Sequence, residues 1–311
     1  MRALQRVEDF TPPPEPVPAR AAAAPAHVGQ GVTPLPLPVA LPGRPSLWRR
    51  FWDGRGAMLL MAAVSIAGVL LFWQLATHYR LDAYVRFNNI PTPAAVLEKV
   101  VEVNQSPKFV TNIGISVRRI LLGFAVATVL GVGLGLLIGR YRVVRGLAMP
   151  AMEVFRPIPA IAWVPMSIML WPDNEVSIVF ITFLGAFFPI LLNTVHGVES
   201  IDPVLLRAAR TLGAGEASLV RHVVLPGALP HIFTGLAVGM GVAWVSLIAA
   251  EMISGQFGIG YFTWEAYSLI SYAEIALGMI TIGVLGLLCS GGIRLLAKLA
   301  MPWQAHSAGA R

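Results

Sequence analysis

Charge is what this 311-residue chain has least of. Only 13% of its residues are Asp, Glu, Lys or Arg, where an ordinary soluble domain carries about a quarter. The deficit leaves charge-free apolar runs at 56–79, 120–139, 176–198, 223–250 and 275–293. Each is near or above the roughly 20 residues a helix needs to cross about 30 Å of hydrocarbon. A sixth apolar stretch, 144–171, is interrupted by Glu153 and Arg156. None alternates polar with apolar residues, so the strands of a membrane barrel are excluded. Helices are then the way to satisfy backbone polar groups in lipid. The expectation is an all-α integral membrane protein with six transmembrane helices.

Cysteine is almost missing. Cys289 lies in the last run with no partner in the chain, so neither an internal disulfide nor a cysteine metal site can form. Lysine is nearly as scarce: Lys99, Lys108 and Lys298 are followed by Val, Phe and Leu. A phosphate-binding P-loop needs Lys followed by Ser or Thr, so this chain does not bind ATP by that device. A GxSxG elbow, an HExxH helix and any Cys/His ligand cluster are likewise absent. The six histidines are dispersed. No catalytic residue, cofactor or metal is called for.

What charge there is sits in telling places. The net charge is +7, yet its distribution argues against nucleic acid. Arg44, Arg49, Arg50 and Arg55 precede the first run, and Arg140, Arg142 and Arg145 follow the second. Arg207, Arg210 and Arg221 lie between the fourth and fifth spans, and Arg294, Lys298 and Arg311 mark the C-terminal end. Placing these segments in the cytoplasm satisfies the positive-inside rule and puts both termini there. The exception is the first outer loop, with Arg80, Arg86, Lys99 and Lys108, then Arg118 and Arg119 at the start of the second span.

Composition divides the chain. Residues 1–45 hold 11 of the 24 prolines, and such a segment cannot bury enough apolar surface to offset ordering entropy. Residues 1–50 are expected to be a disordered, Pro/Ala-rich cytoplasmic tail. Residues 51–112 make the first transmembrane helix and an outer segment, whose stretch 94–103 has apolar residues at helical spacing. Residues 113–303 form the transmembrane core, and 304–311 a short cytoplasmic tail. Gly131, Gly135 and Gly139 repeat at intervals of four, as do Gly235 and Gly239. Small residues at that spacing let helices approach closely in lipid. Pro150, Pro157, Pro159 and Pro165 crowd the third span. Each removes a backbone donor, and such breaks are tolerated beside protein or a water-filled cavity.

Within the core, the hydrophilic loop 200–226 is unusually regular. Ala208-Ala209 is followed after three residues by Gly213, and after nine more by Val223-Val224-Leu225-Pro226. Residues 203–212 should form a short helix capped by Asp202 or Ser200, and Gly213 should end it. A second helix over 216–223 leads to Leu225-Pro226, where proline suits a first helical turn. The spacing resembles the EAA loop of binding-protein-dependent ABC importer permeases: Glu-Ala-Ala, three residues, Gly, nine residues, an aliphatic, any residue, Leu-Pro. Arg207 stands where that pattern has Glu. Arg156-Pro157-Ile158-Pro159-Ala160-Ile161-Ala162-Trp163-Val164-Pro165, Ala250-Glu251-Met252-Ile253 and Gly258-Ile259-Gly260-Tyr261 resemble segments of permeases for nitrate, sulfonates, taurine and bicarbonate.

The resemblance covers roughly 115–303 and implies a type I ABC importer permease of the inner membrane, without enzymatic activity of its own. It implies coupling to an ABC ATPase through Arg207, Ala208, Ala209, Leu212, Gly213, Leu225 and Pro226. It also implies a periplasmic substrate-binding protein and a permease homodimer. Arg156, Pro157, Pro159, Trp163, Asn193, Glu251 and Ser254 are pathway candidates, with helix packing the alternative for Trp163, Asn193 and Ser254. Glu153 and Arg156 share a helix face; they neutralise each other, or Arg156 pairs with Glu251, or Arg156 lends positive potential to an anion pathway. Glu251 is a poor anion ligand and reads as a gate or packing contact. Two other classes compete: an ion-coupled secondary transporter, against which the absence of a clear internal repeat counts, and an intramembrane enzyme, for which no nucleophile–base pair is visible.

Overall fold

A computed structural model describes residues 55–79, 89–254 and 256–303. The expected tails at 1–50 and 304–311 lie outside the described residues. The chain divides into two units, 1–61 and 62–311. Of the first, the described residues open helix α1, Arg55–His78.

The remaining helices are α2 (Pro93–Asn104), α3 (Pro107–Arg140), α4 (Arg142–Phe155), α5 (Val164–Leu170) and α6 (Asn174–Glu199), then α7 (Pro203–Thr211), α8 (Glu216–Leu219), α9 (Leu225–Ser254), α10 (Ile259–Ser268) and α11 (Tyr272–Ala300). Side chains start several of them. Thr92, Ser106, Asp173 and Asp202 each accept a hydrogen bond from a backbone N–H in the first turn of α2, α3, α6 and α7. A cap of this kind contributes about 1 kcal/mol.

Among the described residues, five segments are long and apolar enough to cross a membrane: 56–78, 107–140, 174–199, 216–254 and 272–300. The sixth stretch, 144–171, is not one continuous span. Pro150 sits inside α4, and the helix stops at Phe155 before Pro157 and Pro159. A single 3₁₀ turn, Ala160–Trp163, then leads into the two-turn α5. Proline removes ladder donors and clashes with the preceding turn, which is why hydropathy alone overestimated this helix.

Helix α6 is the centre of the bundle. Gly123, Gly131, Gly135 and Gly139 of α3 lie against Thr182, Ile190, Thr194 and Val198, and a Cβ on any of the four would meet those side chains at 2.6–2.9 Å. Sequence separation is the same in every pair, so α3 and α6 run parallel in one register. On an adjoining face of α6, Gly185 meets Ser246, Asn193 meets Gly235, and Gly197 meets His231 and Ala228. Numbers rise along one helix as they fall along the other, so α9 is antiparallel. The glycine stripes read from sequence thus pack α3 and α9 side by side on α6, with Ile190 touching both.

Candidate functional site

At one end of the bundle the chain folds into an elbow. Helix α7 starts at the Asp202 cap and ends where Gly213 takes φ +84°, a left-handed conformation that costs glycine little. The Gly213 N–H donates to the Arg210 carbonyl and the Ala214 N–H to the Ala209 carbonyl, at 2.9 and 3.0 Å. This paired closure satisfies carbonyls left open by the helix end. None of the α7 residues is buried. Arg207 and Ala208 are exposed and Ala209 half-buried, while Leu212 is 88% exposed.

The far side of the elbow is anchored. Leu219 and Val224 are buried, and Val198, Ile201, Val224, Ala228 and Ile232 form a small apolar cluster joined by Leu206 and Leu225. Glu216 bonds Arg140 at the end of α3 and lies 3.7 Å from Arg210 of α7. Pro226 stands in the first turn of α9, which continues the preceding turns without a break. Chain 216–254 is helical throughout, and a π turn, Val220–Val224, precedes the proline, with the Leu225 N–H reaching back to the Val220 carbonyl. Pro226 has no N–H to give, and a widened turn is a common accommodation of that loss in membrane helices.

Midway along α6 a second feature opens. A cleft of about 460 Å³ is lined by the chain break at Arg156, Pro159 and Ala160, by 184–196 of α6, and by Val238 and Val242 of α9. Arg156, Pro159 and Asn193 meet here, together with His196. Asn193 donates from Nδ2 to the Pro189 carbonyl at 2.8 Å. Pro189 lacks an N–H, which leaves the Gly185 carbonyl at the wall without its ladder partner. Among the described residues Arg156 makes no ion pair, so it neutralises neither Glu153 nor Glu251.

The other pathway candidates are elsewhere. Pro157 does not line the cleft. Trp163 packs on Phe155, with ring centroids 6.0 Å apart, and lines a separate apolar pocket with Phe180 and Phe183. Ser254 is at the opposite end of α9 from the elbow, its Oγ buried without a partner among the described residues. Glu251 is fully buried and held by Arg119 of α3, whose Nη1 donates at 3.0 Å. Ser116 Oγ (2.7 Å) and the Gly260 N–H (2.9 Å) also donate to its carboxylate. Arg119 donates in addition to the Phe257 carbonyl and to Glu175 of α6. Glu251 thus joins α3, α9 and α10.

A family model for the inner membrane component of binding-protein-dependent transport systems matches residues 127–303, a range that contains both elbow and cleft. The chain belongs to this family. It is 33% identical to the nitrate import permease of Synechocystis over 78% of this chain and 90% of that one. It is 34% identical to the bicarbonate transport permease of Synechococcus elongatus, over 78% and 87%. With the taurine transport permease of Escherichia coli it shares 30% over 85% and 95%. It is thus the non-catalytic, multi-pass permease subunit of an ABC importer, which depends on a partner ATPase.

Three residues of this permease escaped sequence reasoning. Arg119 stood at the start of the second span as an exception to the positive-inside rule, and nothing in one dimension links it to Glu175 and Glu251. Glu216, the tie between elbow and α3, falls among the nine positions between Gly213 and Val223 for which the motif specifies no residue. His196 carried a weak signal: it is one helical turn from Asn193.

Proposed function

We propose that this permease works as a homodimer, with each elbow seated in a cleft of an ATPase subunit, and that it admits an anionic solute delivered by a periplasmic binding protein. The observation that carries this reading is the elbow. Helix α7 buries no residue and leaves Leu212 88% exposed, yet its far side is tied to α3 and α9 by Glu216 and an apolar cluster. An exposed apolar surface on a firmly tied stem suits transmission of a partner's motion into the spans.

Six crossings agree with the parallel packing of α3 and α6. A chain that leaves the end of α3 and re-enters at the start of a parallel α6 has to return across the bilayer, and α4, the 3₁₀ turn and α5 supply that return in pieces. Both termini then lie on the side of the elbow, whose arginines favour the cytoplasm. The anionic solute is supported by the cleft, which holds Arg156 and no Asp or Glu among its described lining residues, and by relatives named for nitrate, bicarbonate and taurine transport.

Cross-linking tests it. In a Cys289→Ala background, Leu205→Cys or Leu212→Cys should capture the co-expressed ATPase, and Val69→Cys on lipid-exposed α1 should not. Uptake by proteoliposomes should need that ATPase and ATP. Uptake driven by an ion gradient without the ATPase would overturn the reading in favour of a secondary transporter.

A further inference from the structure

We infer that the Arg156 cleft is a binding site for a small organic anion, with a monoanionic sulfonate or carboxylate head at the guanidinium and an apolar body along Phe188, Leu192, Val238 and Val242. The inference deepens the permease reading above and rests on it.

Three features of the cleft carry it. The first is charge. Among the described residues Arg156 has no ion pair, and no acidic side chain is among the lining residues described. His196 stands at the rim, its Nδ1 3.8 Å from Glu199 Oε2, and that carboxylate is answered by Arg145. The second is donors. Asn193 spends one amide hydrogen on the Pro189 carbonyl and keeps the other, and a guanidinium offers five N–H groups in a fork suited to an oxyanion.

The third feature is size and wall chemistry. A cleft of about 460 Å³ falls in the range that encloses an organic molecule. A bare inorganic oxyanion would lose hydration against an apolar wall and gain nothing in return. An attached alkyl chain changes the balance, because each buried methylene strengthens binding about four-fold. The Leu, Phe and Val side chains opposite Arg156 therefore select for a tail.

Protection from arginine modification tests this on the full chain in phosphatidylcholine nanodiscs, with and without the ATPase. Phenylglyoxal modification is followed by mass spectrometry of the peptide that carries Arg156, with exposed Arg207 as the control. Butane-1-sulfonate, with three more methylenes, should protect Arg156 at concentrations about sixty-fold below methanesulfonate, with nitrate weaker still and Arg207 unaffected. Val238→Asn should flatten the chain-length series and leave protection by nitrate as it was. Protection by nitrate equal to that by butane-1-sulfonate, or no protection by any anion, would overturn the assignment. So would protection conferred by phosphatidylglycerol in the disc and not by soluble sulfonates, which would make the occupant a lipid. Capture of the ATPase at the elbow is measured separately, so a failed protection series leaves the permease reading standing, and a failed capture does not mimic it.

Discussion

Arg119 and Glu251, 132 residues apart in sequence, form an ion pair inside the bundle, Nη1 to Oε1 at 3.0 Å, with 2% and 0% of their side chains exposed. The second arm of Arg119 reaches Glu175, whose side chain is 42% exposed. One guanidinium thus joins α3, α6 and α9 at the end of the bundle away from the elbow.

Removing the cation alone should be costly. Arg119→Gln leaves Glu251 charged and buried, a change worth about 3–5 kcal/mol. Replacing both, Arg119→Leu with Glu251→Leu, should restore part of that loss, since Glu175 can rehydrate. Thermal unfolding in detergent checks it; a single variant no less stable than the double would refute the argument.

Gly258 has φ +114°, and a Cβ there would lie 2.3 Å from the Glu251 carboxyl group. Gly258→Ala therefore combines backbone strain of about 1–3 kcal/mol with a clash at the buried carboxylate. Gly283, with nothing within 4 Å of its Cβ position, is the control. The first variant should lower the unfolding temperature clearly and the second hardly at all.

The glycine stripe predicts a sharp positional contrast. At Gly135 an added Cβ would meet Thr194 at 2.6 Å, while at Gly133 it would meet nothing within 4 Å. Gly135→Val should separate α3 from α6 and reduce the yield of folded protein. Gly133→Val, two residues away, should be tolerated. Equal yields would show that the helices do not pack in this register.

Glu216→Gln should uncouple without unfolding. Its partners Arg140 and Arg210 are at the surface end of the bundle, where an ion pair is worth roughly 0–1 kcal/mol. Stability should change little. ATP-driven uptake should fall several-fold with the ATPase still bound, because the elbow loses its tie to α3. Retention of full uptake would remove Glu216 from the coupling route.

The contact between α2 and α11 carries a pH signature. Hydrogen bonds to Glu102 and then Glu274 hold Lys99 above its ordinary value of 10.5. A raised value stabilises wherever the lysine is protonated, below about pH 10.4. It is lost as pH climbs through the raised value. Spin labels at Leu97 and Met279 should keep their separation between about pH 6 and 9 and spread under stronger alkali. Lys99→Met should spread them at neutral pH.

Much of the fold was legible because its cause is local. Charge-free runs set the five long helices, Asp202 and Gly213 set the ends of α7, and the glycine repeats marked the close-packed faces. The chain 144–171 was legible in part: its prolines announced a break, but their spacing did not say that α4 and α5 would be separate pieces. Of the pathway candidates, Arg156, Pro159 and Asn193 converge because α6 happens to face the break. Trp163 and Glu251 do not: Trp163 packs on Phe155, eight residues earlier, and Glu251 is held by Arg119 across the bundle.

By itself, then, the sequence determined that this protein lives in lipid, is helical, and carries an elbow of defined spacing. Those properties follow from hydropathy and from backbone rules that act over a few residues. The tertiary structure decided which charges meet. A carboxylate and a guanidinium find each other across 132 residues only after α3 and α9 have packed side by side on α6, and no periodicity along the chain encodes that distance.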